Sequence, residues 1–289
     1  MQDCHNNNRL LNVPMRNIGF MIFLLMLKFQ HMYKFMTTLL LAAALISCSK
    51  DVQPDAPGDA TANNRPPAKT EALTINWSGY TWNVKQPSGT SGPGNNYWSP
   101  DNVWVDAQGR LHLKIKREPS GRWTCAEIYS TRTFGYGSYV WKVEGRVDKL
   151  DRNIVFGLFN YKSGDDGHHE VDVEFARWGN DASHNFNYTV YPAYGDPATR
   201  DFQTYELALN GTYSTYRFNR NSTRVAYKSF HGHTENESNA FYAWTTRAGF
   251  PVSTEALPVH LNLWLFQGQA PANGQEVELI VHSFTYTPQ

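Results

Sequence analysis

Between Glu170 and Phe175 acidic and apolar residues alternate without a break: Glu170, Asp172 and Glu174 against Val171, Val173 and Phe175. Residues two apart share a face only on an extended strand. This segment therefore buries one face in a core and lines the other with three carboxylates. Similar runs recur, divided by turn residues. Val103-Trp104-Val105 is followed by a turn ending in Gly109, then by an alternating strand from Leu111 to Lys116. Tyr139 to Val147, Ile154 to Tyr161, Phe186 to Val190 and Val277 to Tyr286 continue the pattern. No stretch keeps a 3.6-residue period over the length of a helix, and no internal repeat is present. Many short strands within about 220 residues predict an all-β, two-sheet β-sandwich or jelly roll with one concave face left for a ligand. The 41% apolar content is enough for a large core, and the 14% aromatic content either packs that core or lines a groove.

The N-terminal quarter reads differently. Ile18 to Leu27 and Phe35 to Ile46 are apolar but too short for a spanning helix of about 20 residues. The second, preceded by Lys34, has the plan of a secretory signal, with Met32 or Met36 a better start for it than Met1. Its end, Leu45-Ile46-Ser47-Cys48, resembles a bacterial lipobox, which implies cleavage before Cys48 and lipidation of that thiol. The organisation predicted is an over-extended start over residues 1–31, a lipoprotein signal peptide over 32–47, a Pro/Asp/Ala-rich tether over 48–70, and the all-β domain over 71–289. Ser49-Lys50-Asp51 resembles the short signals that send some lipoproteins to the cell surface. The expected location is the bacterial envelope, with the lipid as the sole membrane contact. Of the three cysteines only Cys125 falls in the domain, so no internal disulfide is available to it. Whole-chain net charge is zero, with no Lys/Arg run, which argues against a nucleic-acid partner. Removal of the signal leaves 22 basic against 25 acidic residues. A monomer is expected.

Three like charges in a row, with no cation between them, is an unusual solvated face. Such faces normally mix Lys, Thr and Ser with acids. Cα atoms four apart on a strand lie about 13 Å apart, and two Glu side chains leaning together bring their carboxyls to about 5–6 Å, the short spacing of retaining rather than inverting glycosidases. Mutual repulsion is expected to keep one acid protonated near neutral pH. The pattern alone does not say which Glu plays which part.

Glu170-Val171-Asp172-Val173-Glu174 resembles the E-x-D-x-E signature of glycoside hydrolase family 16. Trp98-Ser99-Pro100-Asp101-Asn102-Val103, Ala126-Glu127-Ile128-Tyr129-Ser130, Phe156-Gly157-Leu158-Phe159-Asn160-Tyr161 and Asn262-Leu263-Trp264 resemble further blocks of that family, in its order. The likeness spans about residues 75–287. It implies a concanavalin-like jelly roll and a retaining double displacement, with Glu170 as nucleophile, Glu174 as general acid/base and Asp172 as the acid assisting the nucleophile. The single residue between Asp172 and Glu174 resembles the unbulged lichenases and xyloglucan transglycosylases, and tilts the substrate toward β-1,3-1,4- or β-1,3-glucan. Hydrolysis or transglycosylation, an agar- or carrageenan-type galactan, and a non-catalytic glycan-binding protein on the same fold remain the alternatives.

Positions matching the lichenase cleft imply sugar contacts at Glu127, Phe159, Tyr161, Asn187, Asn262 and Trp264. Each also has a plainer reading: core packing for the aromatics, strand-end hydrogen bonds for the asparagines, an ion pair with a neighbouring Arg for Glu127. The chain departs from lichenases at His168 (usually Trp), Tyr129 (Arg) and Thr189 (Tyr), and Asn96 stands where the disulfide partner of Cys125 is usual. His168 and its neighbour His169 are candidates to hydrogen-bond the sugar or the acids and to shape the pH profile. No cofactor is expected. The family's structural calcium has no acidic loop here to mark it, and His231-Gly232-His233 lacks a third metal ligand.

Overall fold

A computed structural model describes residues 73–289. The signal, the lipidation site Cys48 and the tether lie outside the described residues. The described residues form eighteen strands: β1 (Thr74–Trp77), β2 (Tyr80–Val84), β3 (Thr90–Ser91), β4 (Asn96–Tyr97), β5 (Val103–Val105), β6 (Leu111–Arg117), β7 (Trp123–Thr124), β8 (Ala126–Phe134), β9 (Gly137–Glu144), β10 (Ile154–Asn160), β11 (Val171–Phe175), β12 (Phe186–Val190), β13 (Asp201–Tyr205), β14 (Tyr213–Arg220), β15 (Val225–His231), β16 (Ala240–Thr245), β17 (Leu257–Leu265) and β18 (Val277–Pro288). The first sheet has the order β1-β2-β8-β17-β10-β11-β12-β13. The second runs β16-β15-β14-β9-β18-β6-β5, with β7 on β6. The protein is thus an all-β, two-sheet jelly roll.

The alternation that predicts the strands also builds the core. Along β9 every second residue is buried, so Tyr139, Trp141 and Val143 face inward. From the other sheet Val171, Val173 and Phe175 of β11 meet them in one continuous apolar cluster. Burying side chains of this size contributes about 1.5–3 kcal/mol each. Aromatic contacts tie the layers: Phe175 of β11 lies edge-on to Tyr216 of β14 at 4.8 Å, and Trp82 of β2 edge-on to Phe284 of β18 at 5.8 Å.

Two edge strands close one end of the sandwich. Tyr205 on β13 and Tyr242 on β16 stack at 4.0 Å. The Tyr205 hydroxyl donates to the Ala243 carbonyl (3.2 Å) and the Tyr242 hydroxyl to the Glu206 carbonyl (2.8 Å). Each sheet thereby pins the rim of the other, which protects edges that would otherwise invite pairing.

The strand predicted from Tyr139 to Val147 stops at Glu144. Gly145 follows at φ 146°, where a Cβ would meet Leu279 Cδ2 at 2.5 Å, and Val147 enters a short 3-10 turn. Asp148 holds that turn, accepting two bonds from Arg146 and one from the Leu209 amide. Tyr161 falls just outside β10, and β18 runs two residues past the predicted Tyr286. Cys125 is a free, buried thiol whose Sγ donates to Asn96 Oδ1 at 3.3 Å. The two positions adjoin, and a thiol–amide hydrogen bond stands there.

Arg220, fully buried at the end of β14, has no carboxylate partner among the described residues. Its Nη2 donates to the carbonyls of Phe134 (2.9 Å), Gly135 (3.0 Å) and Glu255 (3.0 Å). One side chain thus joins the ends of β8 and β14 to the segment before β17. Arg220→Met removes these donors and strands three carbonyls, so it is expected to lower the unfolding free energy by about 2–4 kcal/mol, read from the urea midpoint.

Candidate active site

Register across the first sheet assembles the site. Glu174 pairs with Gly157 on β10 and Asn187 on β12, Gly157 with Asn262 on β17, and Asn262 with Glu127 on β8. One step along, Asp172 pairs with Phe159 and Thr189, Phe159 with His260, and His260 with Tyr129. Directly paired residues share a face, so both rows lie on the side away from the core. Glu170 precedes β11 and is held in line by its carbonyl, which accepts the Tyr191 amide at 2.9 Å. Glycine at 157 leaves room: a Cβ there would lie 2.6 Å from Asn262 Oδ1.

The three acids line a cleft of about 660 Å³ with Glu127, Phe159, Tyr161, Asn262, Trp264, Lys85, Asp166 and Tyr191 among its walls. Burial is the largest influence on each acid. It raises the Glu170 carboxyl to about 8, with the negative charge of Glu174 adding to the effect and a hydrogen bond with Asp172 opposing it. Burial alone raises Glu174 to about 7. Asp172 is pushed well above the usual carboxylate range by burial, then by the charges of both neighbours. Repulsion, the cause expected from sequence, is thus secondary to desolvation. The row titrates as one unit and carries fewer than three negative charges at neutral pH. With the proton on Asp172, its hydrogen bond to Glu170 favours the anionic form of Glu170 but does not outweigh burial.

Glu127 shows the opposite balance on the same face. Burial raises its pKa, but the hydrogen bond with His260, the charge of Lys85 and the bond from Lys85 prevail and lower it. Lys85 Nζ lies 2.8 Å from Glu127 Oε2 and 4.1 Å above the Trp98 ring, while His260 Nδ1 lies 3.1 Å from Glu127 Oε1. Glu127 is thus ion-paired, but with Lys85 and His260 in place of the neighbouring Arg expected, and the residue also lines the cleft. His260 is sandwiched between Tyr129 at 5.4 Å and Phe159 at 5.0 Å, a stacked tier that ends at Asp172.

Phe159 and Tyr161 are half-buried cleft walls, and the Tyr161 hydroxyl donates to Asp166. Trp264 is 7% exposed and packs against Trp178 at 6.5 Å. Asn262 Oδ1 is buried beside the gap above Gly157, with no hydrogen-bond partner among the described residues. Asn187 donates to the Ala176 carbonyl at 3.3 Å, a strand-end bond. His168 does not line the cleft: its Nε2 meets the Gly195 carbonyl at 2.9 Å and its Nδ1 lies 3.3 Å from Asp165. His169 Nδ1 meets Ser253 Oγ at 2.8 Å. The two histidines fasten loops around the site instead of entering it. Among the described residues no three His, Cys, Asp or Glu side chains are grouped to hold a metal ion.

Lys85, Asp166, Tyr191 and His260 escaped the sequence reading. His260 had a usable signal, since His260, Asn262 and Trp264 alternate on β17 just as the acids do on β11. Tyr191 continues the alternation of Asn187 and Thr189. Lys85 and Asp166 reach the cleft from loops and carry no local pattern.

No protein-family model matches the chain, and no curated protein is detectably similar to it in sequence. Solved structures are similar in fold. A Bacillus licheniformis β-glucanase superposes with a TM-score of 0.56 at 19% identity, covering 74% of this chain and 95% of its own. A β-1,3-1,4-glucanase (lichenase) from a mouse hindgut metagenome gives 0.53 at 20% identity, covering 72% and 93%. Rv0315 of Mycobacterium tuberculosis, described as an immunostimulatory antigen and pseudo β-1,3-glucanase, gives 0.54 at 18% identity, covering 72% and 91%. The chain shares the jelly-roll fold of β-glucanases and glucanase-like proteins.

Proposed function

We propose that the chain is an endo-acting, retaining glycoside hydrolase of β-glucans. The observation that carries this reading is the row of three buried carboxyls on one face of β11, open to a cleft and held partly protonated by burial. Fold does not suffice, since one structural neighbour is described as a pseudo-glucanase. Protonated Glu174 donates its proton to the glycosidic oxygen as the bond to the anomeric carbon breaks, while the Glu170 carboxylate forms a bond to that carbon. Glu174, now anionic, then takes a proton from water, whose oxygen displaces Glu170. Asp172 donates a hydrogen bond that steadies Glu170 as its charge leaves and returns. A sugar hydroxyl in place of that water gives transglycosylation by the same steps.

Cleft charge supports an uncharged substrate. Its lining holds five carboxyls, those of Glu127, Asp166, Glu170, Asp172 and Glu174, against the one ammonium of Lys85, which Glu127 already pairs. A sulfated galactan would meet this field unfavourably, whereas a neutral glucan would not. The lichenase and β-glucanase among the structural neighbours agree with β-1,3-1,4- or β-1,3-linkages. The lipobox-like segment ending at Cys48 supports a lipid anchor at the bacterial envelope, with residues 49–70 as the tether.

Reducing-sugar release from mixed-linkage glucan, laminarin, xyloglucan, agarose and carrageenan tests the assignment. Turnover is expected on a neutral glucan and not on carrageenan. Glu170→Ala is expected to reduce it by at least about 10³-fold with cooperative folding kept, and Glu174→Ala by about 10²–10⁴-fold. Residual full activity in Glu170→Ala would remove Glu170 from the nucleophile role.

Burial also couples the site to stability. A carboxyl whose folded pKa lies above its unfolded value contributes its full stability below the unfolded value of about 4.3. That contribution is lost as pH rises through the folded value, about 7 for Glu174. Glu174→Gln, uncharged at every pH, is therefore expected to melt roughly 4 °C or more above the wild type at pH 8, with the difference gone at pH 4. Thermal melts of both proteins across that range read the effect directly.

A further inference from the structure

The cleft crosses the strands instead of following them. Its enclosed part runs from Lys85 and Glu127 past Asn262 and Phe159 to the acids, and ends at Tyr191. The first sheet continues beyond it through β12 to its edge strand, β13. Register continues as well: Asp172 lies opposite Thr189, and Thr189 opposite Phe202. Phe202 thus stands on the cleft face, two strands and about 10 Å from Asp172. The residue between them is a threonine, and in the neighbouring row Asn187 and Thr204 are again small and polar. No bulky side chain in these rows separates the ring from the catalytic row.

Phe202 is 54% exposed. Among the described residues it stacks on no other ring, and only the Arg200 guanidinium lies over it, 5.6 Å from the centroid. A single exposed apolar residue is common on any surface. This one sits in line with the groove, at the outer end of a polar floor.

The geometry points to Phe202 as a second carbohydrate platform. It stacks against a pyranose ring of the bound β-glucan on the β13 side of the cut bond, with Arg200 donating to the hydroxyls of that ring. A flat aromatic face matches the apolar C–H face of a β-linked sugar, and Thr189, small and only 8% exposed, raises no barrier between that ring and the acids. Phe202 lies on β13 and Arg200 at the end of the turn just before it, neither of which the catalytic chemistry uses, so this subsite sets affinity and the place of cleavage along the chain rather than the rate of bond breaking. The assignment rests on the glycan reading of the cleft but not on catalysis.

Wild type, Phe202→Ala and Phe202→Trp are compared in two ways: steady-state kinetics on mixed-linkage glucan and laminarin, and affinity electrophoresis in gels holding the same polymers. Phe202→Ala is expected to raise KM roughly 5–10-fold with kcat within about twofold, and to weaken retardation in the gel to match. Phe202→Trp is expected to restore both. The urea midpoint should not move, since the ring is mostly in water. If the wild type cleaves and Phe202→Ala keeps its KM and its retardation, the platform is overturned and the hydrolase stands. If the wild type cleaves nothing but is retarded, and Phe202→Ala is retarded less, the platform stands and the hydrolase fails. A wild type that neither cleaves nor is retarded overturns both.

Discussion

The burial of Val171, Val173 and Phe175 against the second sheet is the constraint on which the site depends. Their insertion in the core leaves Glu170, Asp172 and Glu174 no choice of face, because neighbouring residues on a strand point oppositely. The sheet then supplies the surroundings. β10 brings Gly157 and Phe159 alongside, β17 brings Asn262 and His260, and β12 brings Asn187 and Thr189. Hydrogen bonding between backbones sets this arrangement to within one residue, since a slip by one would send the acids into the core.

That sheet handles buried carboxyls in two ways. Glu127 is given cationic and hydrogen-bonding company, Lys85 and His260, and stays ionised as a fixed acceptor. The row on β11 is given none, and burial holds protons on it. Under the hydrolase reading we propose, the contrast separates binding from chemistry: a wall needs a constant charge, whereas a general acid needs a proton it can lose near the working pH. His168 and His169, which would have been the natural proton carriers from their type alone, are instead tied to Gly195, Asp165 and Ser253. They brace the loop that leads into Glu170.

Part of the architecture was legible along the chain, where apolar alternation stands out; β14, β15 and β17 were not read as strands although each buries a face. β5, β12 and the body of β6, β10, β11 and β18 follow from period-2 alternation. The edge strands β13 and β16 did not show, because both of their faces are partly wet and the alternation fades: Phe202 is exposed while Tyr205 is held inward by its stack on Tyr242. Strand ends were misjudged where a glycine ended the pairing, as at Gly145. In the site, residues that alternate with a recognised one were within reach, as His260 was beside Asn262. Residues brought in by loops were not: Lys85 and Asp166 enter the cleft only once distant segments meet.

What the sequence by itself determined is the strand that carries the acidic row, the number and order of its acids, and the two-layer class of the fold, because alternation is a local property. Only the tertiary structure decided the charge those acids carry, the partners that keep Glu127 ionised, the turning of His168 away from the cleft and the alignment of Phe202 with it. Those depend on which strands lie side by side and how much water their side chains retain. Both are set by the packing of segments far apart in the chain.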